Sequence, residues 1–324
     1  MSLERCALLL LAPALASAQS AISGVASAPA EEKLHASVSL SNSLGIATFV
    51  ADDHADNPYF AQSLSIGPSY SLTDKLTFGL GWSLGWEYTA PESENGRRYA
   101  PSDISGSLSH SELWNDAWSG LKLSGSLRAI APTSFESRAS NTITNLTVSP
   151  SLSKSFGERL SLSYTFAFTK FFVATEYKGS TGSQYGDDGI ANCLDSEREG
   201  SGCQGSSLNN NFSISNSLGL SYKITDKLSG SLGFGLARGW KLAPNGTVGT
   251  SEEGSWTKQG GDYRMTGSLS ASYAVNQTYS VSGGIFTGQP ALDSRQSRPR
   301  FPLFDFETPA NGFTSFGLTI SGKI

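Results

Sequence analysis

Between Leu76 and Tyr88 every second residue is large and apolar: Leu76, Phe78, Leu80, Trp82, Leu84, Trp86 and Tyr88. The residues between them, Thr77, Gly79, Gly81, Ser83, Gly85 and Glu87, are small or polar. Successive side chains of a strand point to opposite faces, so this alternation predicts a strand with one greasy face and one thin polar face. The same period recurs from near residue 34 to the end of the chain. It is clear at 121–131, 160–168, 212–224, 228–242, 263–275 and 316–324. It is weaker at 34–50, 61–72, 102–114, 141–154 and 279–288. Together these segments predict about twelve strands.

The connections alternate in length. Short ones fall at 73–75, 115–119, 156–159, 225–227 and 276–278, and long ones near 51–60, 90–101, 132–140, 178–207, 243–262 and 289–311. Tight turns therefore gather at one end of the sheet and long loops at the other. Two hairpins resemble each other, YSLTDKLTFGLGW from Tyr70 and YKITDKLSGSLGF from Tyr222. Recurrent turn chemistry explains the likeness, with Asp74 and Asp226 suited to the bend. An internal duplication is the other reading, but the similarity fades outside the hairpins.

Which face looks inward follows from the small residues. A soluble β protein solvates its outer face with Lys, Glu, Arg and Thr. Here the second face is Ser63, Ser65, Gly67 and Ser69 on one strand, and Ser229, Ser231, Gly233 and Gly235 on another. Charged residues make up only 16% of the 324-residue chain, against roughly 25% in ordinary soluble domains. A Ser/Gly surface suits a crowded or water-filled lumen, and the continuous apolar face suits lipid. Closure into a barrel removes the sheet edges that lipid cannot satisfy. Trp86, Tyr88, Trp114, Trp118, Tyr70, Tyr222, Trp240 and Tyr263 sit near strand ends, where aromatic girdles meet headgroups.

The N-terminus, MSLERCALLLLAPALASAQS, has a basic start at Arg5, a short apolar core and a small-x-small site at Ala16-Ser17-Ala18. It reads as a signal peptide over 1–18, cleaved before Gln19. A periplasmic segment over 19–33 then precedes a barrel over 34–324. Cys193 and Cys203 in CLDSEREGSGC are expected to close a small loop as a disulfide, since the chain is exported. No His lies near them and two thiolates are too few for a closed zinc site. The acidic loop at 178–207, with Asp187, Asp188, Asp195, Glu197 and Glu199, lacks EF-hand spacing and reads as solvated. No metal or cofactor is expected. The net charge of −5 leaves no basic footprint for nucleic acid.

The C-terminal FTSFGLTISGKI resembles the last strand of bacterial outer-membrane β-barrels. Phe316, Leu318, Ile320 and Ile324 keep the alternation, while Gly322 interrupts it and Ile324 stands where that family ends in an aromatic. The resemblance implies an all-β, antiparallel up-and-down transmembrane barrel of about twelve strands. It also implies location in the outer membrane of a Gram-negative cell. The expected partners are outer-membrane lipid and lipopolysaccharide, the barrel-assembly machinery during insertion, and small solutes.

Chemistry-bearing residues are sparse. His110 and Ser111 in SLSHSELW are adjacent, so they point to opposite faces and should not meet without a bulge. A general base must reach its nucleophile, and His110 reads as a girdle residue near the periplasmic rim. The chain is not expected to be an enzyme. The lumen-facing register carries Glu87, Lys122, Arg128, Lys223, Lys241 and Arg264. As an open pore this set favours anions mildly; alternatively Glu87 pairs with Arg128 or Arg264 and braces the wall. In the last long loop Arg295, Arg298, Arg300, Phe301, Phe304 and Phe306 either fold inward as a constriction or cap the barrel outside. The resulting expectation is a passive channel or uptake barrel for small polar solutes. The alternative is a non-conducting docking or adhesion barrel whose loops bind a partner.

Overall fold

A computed structural model describes residues 33–49, 59–89, 99–175, 209–242, 263–292, 298–306 and 313–323. The chain forms thirteen strands in one sheet. These are β1 (Leu34–Gly45), β2 (Phe60–Ser71), β3 (Leu76–Glu87), β4 (Tyr99–Pro101) and β5 (Ile104–Asn115). They continue as β6 (Leu121–Ala131), β7 (Thr142–Phe156), β8 (Leu160–Val173) and β9 (Asn210–Lys223). The last four are β10 (Leu228–Lys241), β11 (Tyr263–Ala274), β12 (Tyr279–Pro290) and β13 (Thr314–Lys323). A single-turn helix, α1 (Phe135–Ala139), lies between β6 and β7.

Each wall strand pairs antiparallel with its chain neighbours, and β1 pairs with β13 from Ser37↔Lys323 to Gly45↔Ser315, which closes the barrel. β3 pairs with β5 over its lower half and with β4 over Leu84–Trp86, so β4 and β5 together make one interrupted wall strand. The barrel therefore has twelve wall positions, and both ends of the described chain lie at the short-turn end. No helix of the described residues is long and apolar enough to cross a membrane.

The exterior is apolar. Phe78 and Leu80 are 42% and 45% exposed, and Leu108, Leu127, Leu162, Leu232, Leu318 and Ile320 share that side. The only buried hydrophobic residues among those described are Ala47, Ala139 and Met265. An inward apolar face would have packed these leucines into a core. Their exposure on a closed wall assigns them to lipid, and the fold is held by inter-strand hydrogen-bond ladders that run around the whole barrel.

The two TDK turns share one geometry, but the threonine closes them, not the aspartate. Thr73 Oγ1 accepts the Leu76 N–H at 3.0 Å, and Thr225 Oγ1 accepts the Leu228 N–H at 3.0 Å. Asn276 Oδ1 does the same for Tyr279 at 2.7 Å. Asp226 instead accepts from Lys223 at 2.9 Å. That hydrogen bond, with the ammonium charge behind it, holds its carboxyl below the usual carboxylate range. The leader at 1–18, all but Lys33 of the 19–33 segment, and Cys193 and Cys203 lie outside the described residues.

Candidate functional site: the lumen, its mouth and its outer strap

The lumen wall is built from serine laid over glycine. Six cross-strand pairs put a hydroxyl residue opposite a glycine: Ser37–Gly67, Ser107–Gly79, Ser105–Gly81, Ser163–Gly219, Ser268–Gly233 and Thr266–Gly235. A Cβ added at any of these glycines would come within 2.5–3.1 Å of the partner hydroxyl. The hydroxyl therefore leans sideways into the space above the glycine. Ser37 donates to the Gly67 carbonyl at 3.1 Å, and Ser105 and Ser163 reach the Gly81 and Gly219 carbonyls at 3.4 Å. Four facing hydroxyl pairs bond directly: Ser41–Thr319 (2.9 Å), Thr147–Thr169 (2.9 Å), Ser151–Thr165 (2.8 Å) and Ser231–Ser270 (2.8 Å).

Against this neutral wall stand the charges. The register places Glu87 (opposite Ala61), Lys122 (Ser153), Arg128 (Ser107 and Thr147), Lys223 (Ser229) and Arg264 (Ala237) on the serine side. Lys241 pairs with Asn210 across an irregularity in which β9 carries one extra residue, Asn211. That bulge keeps Lys241 on the serine side. Lys323, opposite Ser37, belongs to the same side and was not singled out from sequence. Among the described residues the ion pairs are Lys75–Glu112, Lys223–Asp226 and Arg300–Asp305. Glu87 is thus joined to neither Arg128 nor Arg264, and the bracing alternative is not realised.

Beyond the pairing of neighbouring strands, the elements that pack together are α1 with β7 and the short turn at Ile46–Thr48 with β13. No described element runs across the barrel. At the long-loop end Asp103, just before Ile104, anchors α1. Its carboxylate accepts the Ser134 N–H at 2.8 Å and the Ser137 hydroxyl at 2.5 Å. Ser134 in turn caps α1 by accepting from the Ser137 N–H at 3.1 Å. Asp103 is near enough to lumen-facing Arg128 for their charges to interact, while Phe135 of α1 packs on Tyr99, the partner of outward-facing Trp86, so α1 sits on the rim at the long-loop end. Asn209 ties the far side of this turn by donating to the carbonyls of Ser140 and Thr175, each at 2.9 Å. A long loop rich in Ser, Thr and Pro was the only signal for this element in the sequence.

The last long loop does not form the expected constriction within its described part. Gly267, Thr287, Gln289 and Thr314 share the outward side with Leu269, Ile285 and Phe316. Residues 300–306 lie on that side as a strap. Thr287 donates to the Leu303 carbonyl at 2.7 Å, Gln289 donates to the Phe301 carbonyl at 2.5 Å, and Thr314 accepts the Asp305 N–H at 2.9 Å. Arg300 and Asp305, 6% and 1% exposed, pair at 3.2 Å beneath it. Phe301, Phe304 and Phe306 cluster on the strap, with Phe304 and Phe306 4.7 Å apart. Arg298 is exposed, and Arg295 lies outside the described residues. The physical reason is local: Thr287, Gln289 and Thr314 are polar positions on a lipid-facing wall. The strap's backbone bonds both threonines and the Gln289 amide N–H, leaving of these only Gln289 Oε1 unpartnered among the described residues, while its phenylalanines restore an apolar surface.

Gly267 is the seat of the strap. A Cβ there would lie 1.9 Å from the Pro302 carbonyl oxygen. Gly267→Val is expected to lever the strap off the wall, read as new proteolytic cleavage within 298–306 in the folded barrel. An unchanged digest would show that the strap does not sit on this glycine.

His110 pairs with Leu76 on the outward side at the short-turn end. A strand irregularity follows it, yet its Nδ1 accepts the Glu112 N–H at 3.3 Å, and no hydrogen bond joins it to Ser111. No group of three or more metal-ligating side chains occurs among the described residues.

A closed antiparallel barrel with an apolar exterior, a small-residue lumen, short turns at one end and long loops at the other is the fold of bacterial outer-membrane β-barrels, and its exterior is built for that membrane. Among solved structures, the chain resembles an outer-membrane channel from Pseudomonas putida F1, with a TM-score of 0.52 and 13% identity. That match covers 92% of this chain and all of the other. The NanC porin (TM-score 0.45, 7% identity) and the KdgM porin (0.42, 9%) each match over 88% of this chain, covering 97% and 98% of theirs. No family model and no curated protein matches the sequence.

Proposed function

We propose that the barrel is a passive channel for small polar solutes with a mild preference for anions. The observation that carries this reading is the lumen wall. Its hydroxyls are turned along the surface, and its fixed charges are mainly cations without carboxylate partners among the described residues. An uncompensated cation lowers the entry barrier for anions and raises it for cations. On this reading α1, held by Asp103 at the long-loop end, borders the mouth. The channel relatives in outer membranes are consistent with this use of the fold. The docking alternative rests on the loop at 178–207, which lies outside the described residues.

Planar-bilayer recording of refolded protein tests the reading. Stable single-channel steps are expected, with a reversal potential in a salt gradient that reports anion preference. A barrel silent in bilayers and impermeable to solutes in liposome swelling overturns it. Asp103→Ala should unclamp α1 and change the conductance level or its gating noise while leaving the ion preference in the same direction. Identical single-channel traces would remove α1 from the mouth.

A further inference from the structure

The lipid-facing side of the wall carries a small number of polar side chains, and nearly all are answered within the protein. Gln62 donates to Asn42 at 2.9 Å and accepts from the Tyr88 hydroxyl at 3.1 Å. Tyr164 donates to Asn216 at 2.6 Å. The strap covers Thr287, Gln289 and Thr314, and Arg300 has Asp305. In hydrocarbon or at its edge an unanswered polar group is costly, so this thoroughness is expected.

Arg238 breaks the pattern. It lies two residues beyond Leu236 on the outward side of β10, three residues from the long-loop end, directly opposite Tyr263. Its guanidinium sits 4.8 Å from the Trp240 ring and 4.6 Å from the Tyr263 ring. Trp240 is stacked on Phe212 at 4.6 Å, so the aromatic side of the site is rigid. The rings hold the guanidinium but bring no negative charge. Its Nε is buried with no hydrogen-bond partner, and no carboxylate pairs with it among the described residues.

A second outward cation stands two residues nearer the long-loop rim, level with Trp240. Lys170 on β8 pairs with Leu146 and Phe212, which places it outward, and its ammonium is held by Asn211. The β9 bulge explains that contact, because the extra residue Asn211 leans to the same side as Phe212. Lys170 and Arg238 flank β9 opposite Phe212 and Ile214, which sets their Cα atoms about 12 Å apart, two inter-strand spacings across and two residues along the strand. Two outward cations with a fixed aromatic base, at the headgroup level of the long-loop side, call for an anion carried by the membrane itself.

We propose that Arg238 and Lys170 form a docking site for the phosphate of an outer-leaflet lipid headgroup. The planar guanidinium, oriented by Trp240 and Tyr263, presents its N–H groups to the phosphate oxygens, and Lys170 adds a point charge from across β9. The site stands whether or not the lumen conducts, because none of its residues faces the lumen.

Native mass spectrometry of the refolded full barrel tests it, with diphosphorylated lipid A and its fully dephosphorylated form as probes. The wild type should retain the phosphorylated lipid and not the other. Lys170→Gln with Arg238→Gln should reduce retention on the order of tenfold or more, since charge-assisted hydrogen bonds are lost. Lys154→Gln removes an outward cation at the opposite rim and should leave retention unchanged. Heat-modifiable mobility on SDS gels reports folding of each variant. Should the double variant not fold, the comparison of the two lipids on wild type and the single Arg238→Gln variant decide the matter. Equal retention of both lipids, or undiminished retention by a folded variant, overturns the proposal. So does inorganic phosphate that stabilises the wild type as well as the lipid does, which would make this a site for a soluble anion.

Discussion

A barrel carrying Arg128→Glu, Lys241→Glu and Arg264→Glu will pass cations in preference to anions. All three residues stand on the serine side of the wall, on β6, β10 and β11. The surrounding wall offers mainly Ser, Gly and Thr, and of the three only Arg128 has a carboxylate, Asp103, near enough to interact among the described residues. A fixed charge about 8 Å from the path of an ion in water contributes roughly 0.5 kcal/mol, and reversing its sign swings that by about 1 kcal/mol. Three reversals therefore shift the relative barriers of the two ions by a few kcal/mol, on the order of tenfold or more in permeability ratio before screening. The reversal potential in a salt gradient reads this directly, and the effect should shrink as ionic strength rises. A reversal potential that keeps its sign in all three-fold variants at low salt would mean that ions do not travel past these side chains.

The second large effect lies outside the lumen. Asp305→Ala leaves Arg300 buried without the carboxylate 3.2 Å away. Removing one partner of a buried pair typically costs about 3–5 kcal/mol, and here less, because Arg300 Nε still donates to the Leu292 carbonyl at 3.1 Å. The cost falls on the strap before the barrel, since the wall strands are paired independently of it. The expected result is release of residues 298–306, with Thr287, Gln289 and Thr314 bared to lipid and protease cleavage in the loop. Barrel melting should fall by less than the strap loses. The double replacement Arg300→Met with Asp305→Leu removes both charges and should restore much of the protection. If Asp305→Ala alone leaves the strap protected, the pair is not what holds it.

The wall was legible in the sequence because its two faces differ so sharply. Leu/Phe against Ser/Gly at period two located twelve wall strands and their direction, and Thr-Asp-Lys and Asn-Gln-Thr marked the tight ends. What escaped depended on register or on long-range choice. The β4 strand, Tyr99–Pro101, is too short to show a period. The serine-over-glycine pairs exist only once Ser107 is known to face Gly79, which no local pattern states. The strap is a loop that had two sides to choose from, and the choice was made by Thr287, Gln289 and Thr314, residues that read locally as ordinary strand ends. Asp103 escaped because its partners, Ser134 and Ser137, lie in a separate loop. Arg238 sat on the apolar parity of its strand in plain view, and its exception to that parity was the signal available.

A surface whose hydroxyls already point at their own carbonyls has little left to offer a passing molecule. Four Ser–Gly pairs on the wall close their hydrogen bonds sideways, so a hydrated solute sliding past Ser105 or Ser163 keeps its water and finds no partner to exchange it for. Such a wall gives short residence and low friction. On the proposed channel function, solutes would be sorted by charge at the rim and, once admitted, carried through at a pace set by diffusion rather than by release from any binding step.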